Sequence, residues 1–149
     1  MTLPTYLLAG LIIGRVTGNY PAAIIDSAVI DLDHLVSYYR HGVIFNPQKL
    51  FNTILREADP WEDQRSLLHS FLTWSAVSTV LLLFNLRFGA VFSVAYFSHL
   101  AIDMLDSADF WPFFPSKQIN IRGPIKYFSK QEIILDVILL VVFIFSLLG

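Results

Sequence analysis

Residues 66–86 read SLLHSFLTWSAVSTVLLLFNL, a run without Asp, Glu, Lys or Arg. About 20 apolar residues in helical form cross the hydrocarbon core of a bilayer. The stretch therefore reads as a membrane span and decides the class of fold. Working outward, Asn85-Leu86-Arg87 makes a short turn into a second apolar stretch over residues 88–106. A further one, residues 130–148, begins at Ser129-x-x-Glu132, a capping-box pattern. Upstream, residues 3–16 form an apolar segment broken by Gly18-Asn19, and Pro21 opens another over residues 21–39. The first of these is short for a bilayer, and Asp26 interrupts the second. The expectation is that both are partly shielded by neighbours, or that one is re-entrant.

Composition agrees with lipid as the solvent. Hydrophobic residues make up 55% of the 149 and charged residues 15%, against about 25% charged in soluble domains. A soluble chain of this length has too little interior for so much apolar side chain. Net charge is -2, so no nucleic-acid partner is expected. With no cysteine, disulfides and thiolate metal sites are excluded. The first segment lacks a basic leader and an A-x-A cleavage pattern, so a retained helix is expected. The expected fold is all-α: one domain over residues 1–149, a multi-pass membrane bundle of about five helices.

Two connections are long. After Asn46-Pro47, Leu50, Phe51, Ile54 and Leu55 share one helical face, with Lys49, Asn52, Arg56 and Glu57 opposite. This suits a short amphipathic helix in the membrane interface, and packing against the bundle fits equally well. Residues 109–128 hold three prolines, a glycine and a Trp/Phe cluster, which excludes a continuous helix and suits interfacial anchoring. If all five segments span, one side carries Arg40, Lys49, Arg56, Arg65, Lys117, Arg122, Lys126 and Lys130, the other Arg15 and Arg87. The positive-inside rule then places the N-terminus and both long loops in the cytoplasm.

On this topology the polar residues gather at one depth. Asp31, Asp33 and His34 end the second segment; Arg65 and His69 start the third; His99, Asp103 and Asp106 end the fourth. His99 and Asp103 are spaced i,i+4, as are Arg65 and His69, while Asp31 and His34 are i,i+3, so each pair shares a helical face. Ionisable groups in a membrane segment cost a few kcal/mol each. Facing carboxylates repel, and a divalent cation removes that repulsion while using neutral His as ligand. Asp31, His34, His69, His99 and Asp103 are the candidate metal ligands. Zinc suits three histidines with carboxylates and no thiols best, with manganese or iron as alternatives. Asp33 and Asp106 stand as outer carboxylates or general base, and Arg65 as interfacial anchor or phosphate clamp. Asp26, His41, Asp109 and Asp136 read as water-facing or snorkelling groups. Glu132 reads as a helix cap. No His-Asp pair is visibly placed to activate Ser70, which argues against a serine nucleophile.

These residues carry a resemblance. The chain resembles the YdjM-like membrane-bound, metal-dependent hydrolases of prokaryotic inner membranes. That family typically shows an early Thr-His, then P-D-I-D-H, H-R-G-x-T-H-S, S-H-x-x-x-D-x-L and a following W-P. The counterparts here are Thr5-Tyr6, Ile30-Asp31-Leu32-Asp33-His34, Gln64-Arg65-Ser66-Leu67-Leu68-His69-Ser70, Ser98-His99-Leu100-Ala101-Ile102-Asp103-Met104-Leu105 and Trp111-Pro112. They occur in order along nearly the whole chain. Tyr6 and Gln64 replace two histidines, Ser66 a glycine and Leu68 a threonine, which weakens any second metal position. The family in turn looks distantly similar to zinc-dependent phospholipase C and P1-type nucleases. By that resemblance Asp31 or Asp33, His69, His99 and Asp103 surround one metal.

The resulting expectation is a hydrolase in the prokaryotic inner membrane, its site on the cytoplasmic side. The metal activates water, Asp33 or Asp106 is general base, and Arg65 with the loop around Arg122 and Lys126 holds an anionic headgroup. The expected substrate class is a phosphoester, with a lipid as the favoured case. A non-catalytic membrane protein with a degenerate site, and a small ion or proton pathway, are the alternatives.

Overall fold

The computed structural model describes residues 1–56, 61 and 63–148, with the side chains of Ala28, Leu55 and Arg56 excepted. The expected polar-face residue Glu57 lies outside the described residues, as do the side chains of Leu55 and Arg56. The described residues form seven helices: α1 (Leu3–Thr17), α2 (Tyr20–Val29), α3 (Leu32–Arg40), α4 (Pro47–Arg56), α5 (Phe71–Phe84), α6 (Leu86–Asp103) and α7 (Lys130–Leu148). Two isolated bridges are the only β pairing among them. The all-α expectation is met.

Local chemistry sets the boundaries. Gly18 ends α1 at φ 68°, the left-handed conformation that glycine adopts without strain. Asn19 then caps α2 by accepting from Ala22 N at 3.3 Å. Asn85 ends α5 and caps α6 through Phe88 N at 2.9 Å, so a single residue turns the α5–α6 hairpin. Glu132 N donates to Ser129 Oγ at 3.3 Å, so Ser129 caps α7 as expected, while the Glu132 carboxylate takes Phe128 N at 2.6 Å rather than the Ser129 N–H of a full capping box.

Two expected segments change shape. The stretch over residues 21–39 is two helices, not one. Around Asp31 the backbone tightens to i→i+3 bonds, Asp33 N to Ile30 O and His34 N to Asp31 O, and the chain redirects. Residues 66–70 are not helical either. Asp33 Oδ2 accepts from Ser66 N at 3.2 Å and Leu68 N at 2.7 Å, capturing amides a helix would use. That leaves α5 with 14 residues, a rise of about 21 Å.

Among the described residues one helix, Lys130–Leu148, is long and apolar enough to cross a membrane. It has a mean hydropathy of 2.4 and is almost unburied. Leu3–Thr17 and Phe71–Phe84 are apolar but shorter. Five spans of full length are therefore not what the structure shows.

Packing centres on α1 and α6. α1 packs against α2, α6 and α7; α6 also packs against α2 and α5. Ile30, Phe92, Tyr96, Leu100 and Phe110 form the main buried cluster. The α5–α6 contact is close: a Cβ on Gly89 would lie 2.5 Å from Leu82 N. The segment after α6 folds back, with Gly123 N donating to Asp106 O at 2.6 Å. Glycine is required there, since a Cβ would lie 2.1 Å from the Leu105 carbonyl carbon. In α4, Thr53 is buried, Leu50 and Ile54 are half-buried and Phe51 is exposed, so one face of the amphipathic helix packs on the protein.

Candidate metal centre

His99 and Asp103 lie one turn apart on α6, both buried, and point into the space between α1, α2 and α3. Asp31 reaches the same space from the α2–α3 break, and His69 from the segment held open by Asp33. Four atoms meet there. His69 Nε2 lies 3.7 Å from both Asp31 Oδ1 and Asp103 Oδ2. His99 Nε2 lies 3.6 Å from Asp31 Oδ1 and 3.7 Å from Asp103 Oδ2. The ligand atoms of Asp31, His69 and His99 all fall within 4.8 Å of one another.

These contacts are too long for hydrogen bonds. They are close to what one shared ion requires: two ligands ~2.1 Å from a metal at a tetrahedral angle lie about 3.4 Å apart. His69 Nε2, His99 Nε2 and Asp103 Oδ2 are buried and have no hydrogen-bond partner. Each such orphan costs about 1–3 kcal/mol. A cation held between them would give all three a partner.

The surroundings fix the orientation of these groups. Asp33 Oδ2 accepts from His69 Nδ1 at 3.3 Å, which turns Nε2 toward the centre. Tyr6 donates from its hydroxyl to Asp103 Oδ1 at 2.7 Å and stacks on His99 at 3.9 Å between ring centroids. Arg65 donates through Nη2 to Asp106 Oδ2 at 2.6 Å and holds Nε 3.6 Å from Asp103 Oδ1. The Met1 amino nitrogen also contacts Asp106. Burial opposes the charge on Arg65, but Asp103 and Asp106 outweigh it and raise its pKa. Burial likewise opposes ionisation of Asp106, and Arg65 holds it below the usual carboxylate range. Burial pulls His69 down, yet Asp31, Asp33 and Asp103 push its pKa up to about 9. The centre carries a negative potential that attracts a positive charge.

The candidates therefore separate. Asp31, His69, His99 and Asp103 come together. His34 sits on the open side, its Nε2 3.8 Å from Asp31 Oδ1 and its Nδ1 3.4 Å from Gln64 Oε1. Asp33 stands behind His69, and Arg65 with Asp106 stands behind Asp103. Ser70 caps α5 and bonds the Pro112 and Phe114 carbonyls. His41 stacks on Trp61 and pairs with Asp63 at 3.0 Å, away from the centre. Arg122, expected beside a headgroup, pairs with Asp109 at 2.6 Å. Asp136 accepts from Thr5 at 2.7 Å. The reading of Asp26 as a water-facing group is wrong. It is 3% exposed, with Oδ2 3.8 Å from His99 Nδ1. No spacing motif links residues 26 and 99; only the packing of α2 on α6 brings them together.

A cavity of about 450 Å³ adjoins the open side, within the range of small-molecule sites. Asp31, His34, Gln64 and Arg65 line its polar part, Leu35 and Ile54 its apolar wall.

The fold and site define an all-helical protein with an exposed apolar helix and a buried His/Asp centre. The chain belongs to the YdjM inner membrane protein family, whose model matches residues 1–148. Membership marks it as an inner membrane protein. No curated protein matches the chain. No solved structure matches it either, so the expected distant likeness to phospholipase C and P1 nucleases has no support.

Proposed function

We propose that the chain is a membrane-embedded, metal-dependent hydrolase of phosphoesters, working at the cytoplasmic face of the inner membrane. The observation that carries this is the convergence of two buried, unpartnered imidazole nitrogens on Asp31, with the unpartnered Asp103 Oδ2 3.7 Å from both nitrogens. Asp31, His69, His99 and Asp103 hold the ion, and zinc suits the set best, with manganese and iron(II) as competitors. When bound, such an ion supplies Lewis acidity, activating water as a nucleophile and polarising an ester oxygen. The protein's own groups do the rest. Asp33 orients His69. Arg65 and Tyr6 hold Asp103 by Oδ1, leaving Oδ2 for the ion.

A general base needs access to the reacting water. Asp33 Oδ2 already accepts three hydrogen bonds and Asp106 is locked to Arg65. His34, a quarter exposed at the cavity, is the group placed to accept the proton. The polar end and apolar wall of the cavity favour an amphiphile, so a phosphorylated lipid is the preferred substrate. In this reading α1, α2, α5 and α6 join α7 in crossing the membrane, with the centre toward the cytoplasm.

The test is metal content. Protein purified in detergent and loaded with zinc or manganese is expected to retain about one ion per chain. The His69→Ala, His99→Ala double variant is expected to retain none. Metal-free wild type after loading would sink the hydrolase reading. With metal bound, a phosphoesterase screen over lipid and soluble substrates follows. A non-catalytic protein is the second reading. It is favoured by Tyr6 and Gln64, whose side chains bond Asp103 and contact His34. Bound metal without turnover on any phosphoester would support it.

A further inference from the structure

We infer that Asp26 is a positioning residue of the metal centre: it accepts the Nδ1–H of His99, as Asp33 accepts that of His69. The inference rests on the metal reading and adds a residue to it.

His99 Nε2 faces Asp31 and Asp103 at 3.6 and 3.7 Å, so its ring proton belongs on Nδ1. That nitrogen is fully buried and has no hydrogen-bond partner. Asp26 Oδ2 lies 3.8 Å away, and Asp26 Oδ1 is itself buried and unpartnered. An orphaned imidazole nitrogen thus faces a buried carboxylate whose Oδ2 lies a few tenths of an ångström beyond bonding distance and whose Oδ1 has no partner. Among the described ion pairs His99 is the one partner Asp26 has. A carboxylate buried in an apolar helix is expensive without a positive charge. An ion held by His99 Nε2 would supply that charge. A metal-bound histidine ordinarily gives its second N–H to a carboxylate or carbonyl. Here two histidines from different elements are each backed by an aspartate from α2 or α3, one at 3.3 Å and one at 3.8 Å.

The test uses full-length protein in detergent, loaded with cobalt(II). Affinity is measured by chelator competition, and the exchangeable imidazole N–H signals by paramagnetic proton NMR. Wild type is expected to show two such signals. Asp26→Asn is expected to weaken cobalt binding by about 10–100-fold and to move one signal, while Asp33→Asn moves the other. Asp26→Glu should recover part of the affinity. Affinity within twofold of wild type in Asp26→Asn, with both signals unmoved, would overturn the inference and leave the metal reading standing. Should Asp26→Asn fail to fold, the wild-type spectrum decides. A His99 N–H in fast exchange with water overturns the inference, and a slowly exchanging one supports it. Wild type that takes up no cobalt removes both the metal reading and this one.

Discussion

Asp103 divides its two oxygens between neighbours. Oδ1 takes the Tyr6 hydroxyl and faces Arg65, while Oδ2 is left bare toward the two imidazoles. Arg65 therefore compensates two buried carboxylates, Asp103 and Asp106. Removing one partner of a buried ion pair costs about 3–5 kcal/mol, because the other charge is left uncompensated. Arg65→Met is expected to lose roughly that much stability, read as a lowered unfolding midpoint in detergent. Arg65→Lys should lose less; an Arg65→Met protein as stable as wild type would refute the buried pairing. The pairing of Arg65 with two aspartates was not visible in the sequence, which offered an interfacial anchor or a phosphate clamp, but the pairing of His99 with Asp103 was. The i,i+4 spacing of His99 and Asp103 puts both on one face without any structure. Asp26 was not visible, because an acid in an apolar helix looks the same whether it meets water or a histidine from another helix.

The elements were legible where hydropathy alone decides them. Residues 130–148 are helical as expected, and α1 and α6 start and stop within a few residues of the expected bounds. The miss at residues 66–70 has a specific cause. Apolar patterning does not report where backbone N–H groups go, and there two go to the side chain of Asp33. That diversion is what frees His69 to turn into the centre. The hairpin of α5 and α6 shows a different constraint, since Gly89 lets the helices approach closely. Gly89→Ala places a methyl carbon 2.5 Å from backbone and is expected to cost about 1–3 kcal/mol. A thermal melt checks it, and an unchanged midpoint would mean the hairpin is looser than described.

At the scale of the molecule, apolar surface is the dominant fact. Leu83, Phe84 and Phe145 are 82%, 86% and 69% exposed, an arrangement that water would penalise and lipid would not. The excess of Lys and Arg on one side sets the expected orientation. Cysteines introduced as Lys126→Cys and Arg87→Cys should label from opposite sides of sealed inner-membrane vesicles, Lys126→Cys from the cytoplasmic side. Labelling of both from one side would reject the proposed topology. Hydropathy was a sound guide to membrane residence, and family membership agrees. It overstated the length of the spans, because polar side chains of the centre cut two apolar segments short.

The shortness of α1 and α5 has its own consequence. Fifteen and fourteen residues rise about 22 and 21 Å, against roughly 30 Å of hydrocarbon. If these helices cross, the surrounding leaflets must thin to meet them, and hydrophobic mismatch becomes part of how the protein works. Thinning draws headgroups down toward the rim of the cavity, so the bilayer itself delivers polar groups to the centre. Reconstituted protein should then be more stable and more active in short-chain than in long-chain phosphatidylcholine. Indifference to acyl length would show that the short helices do not bear on the lipid.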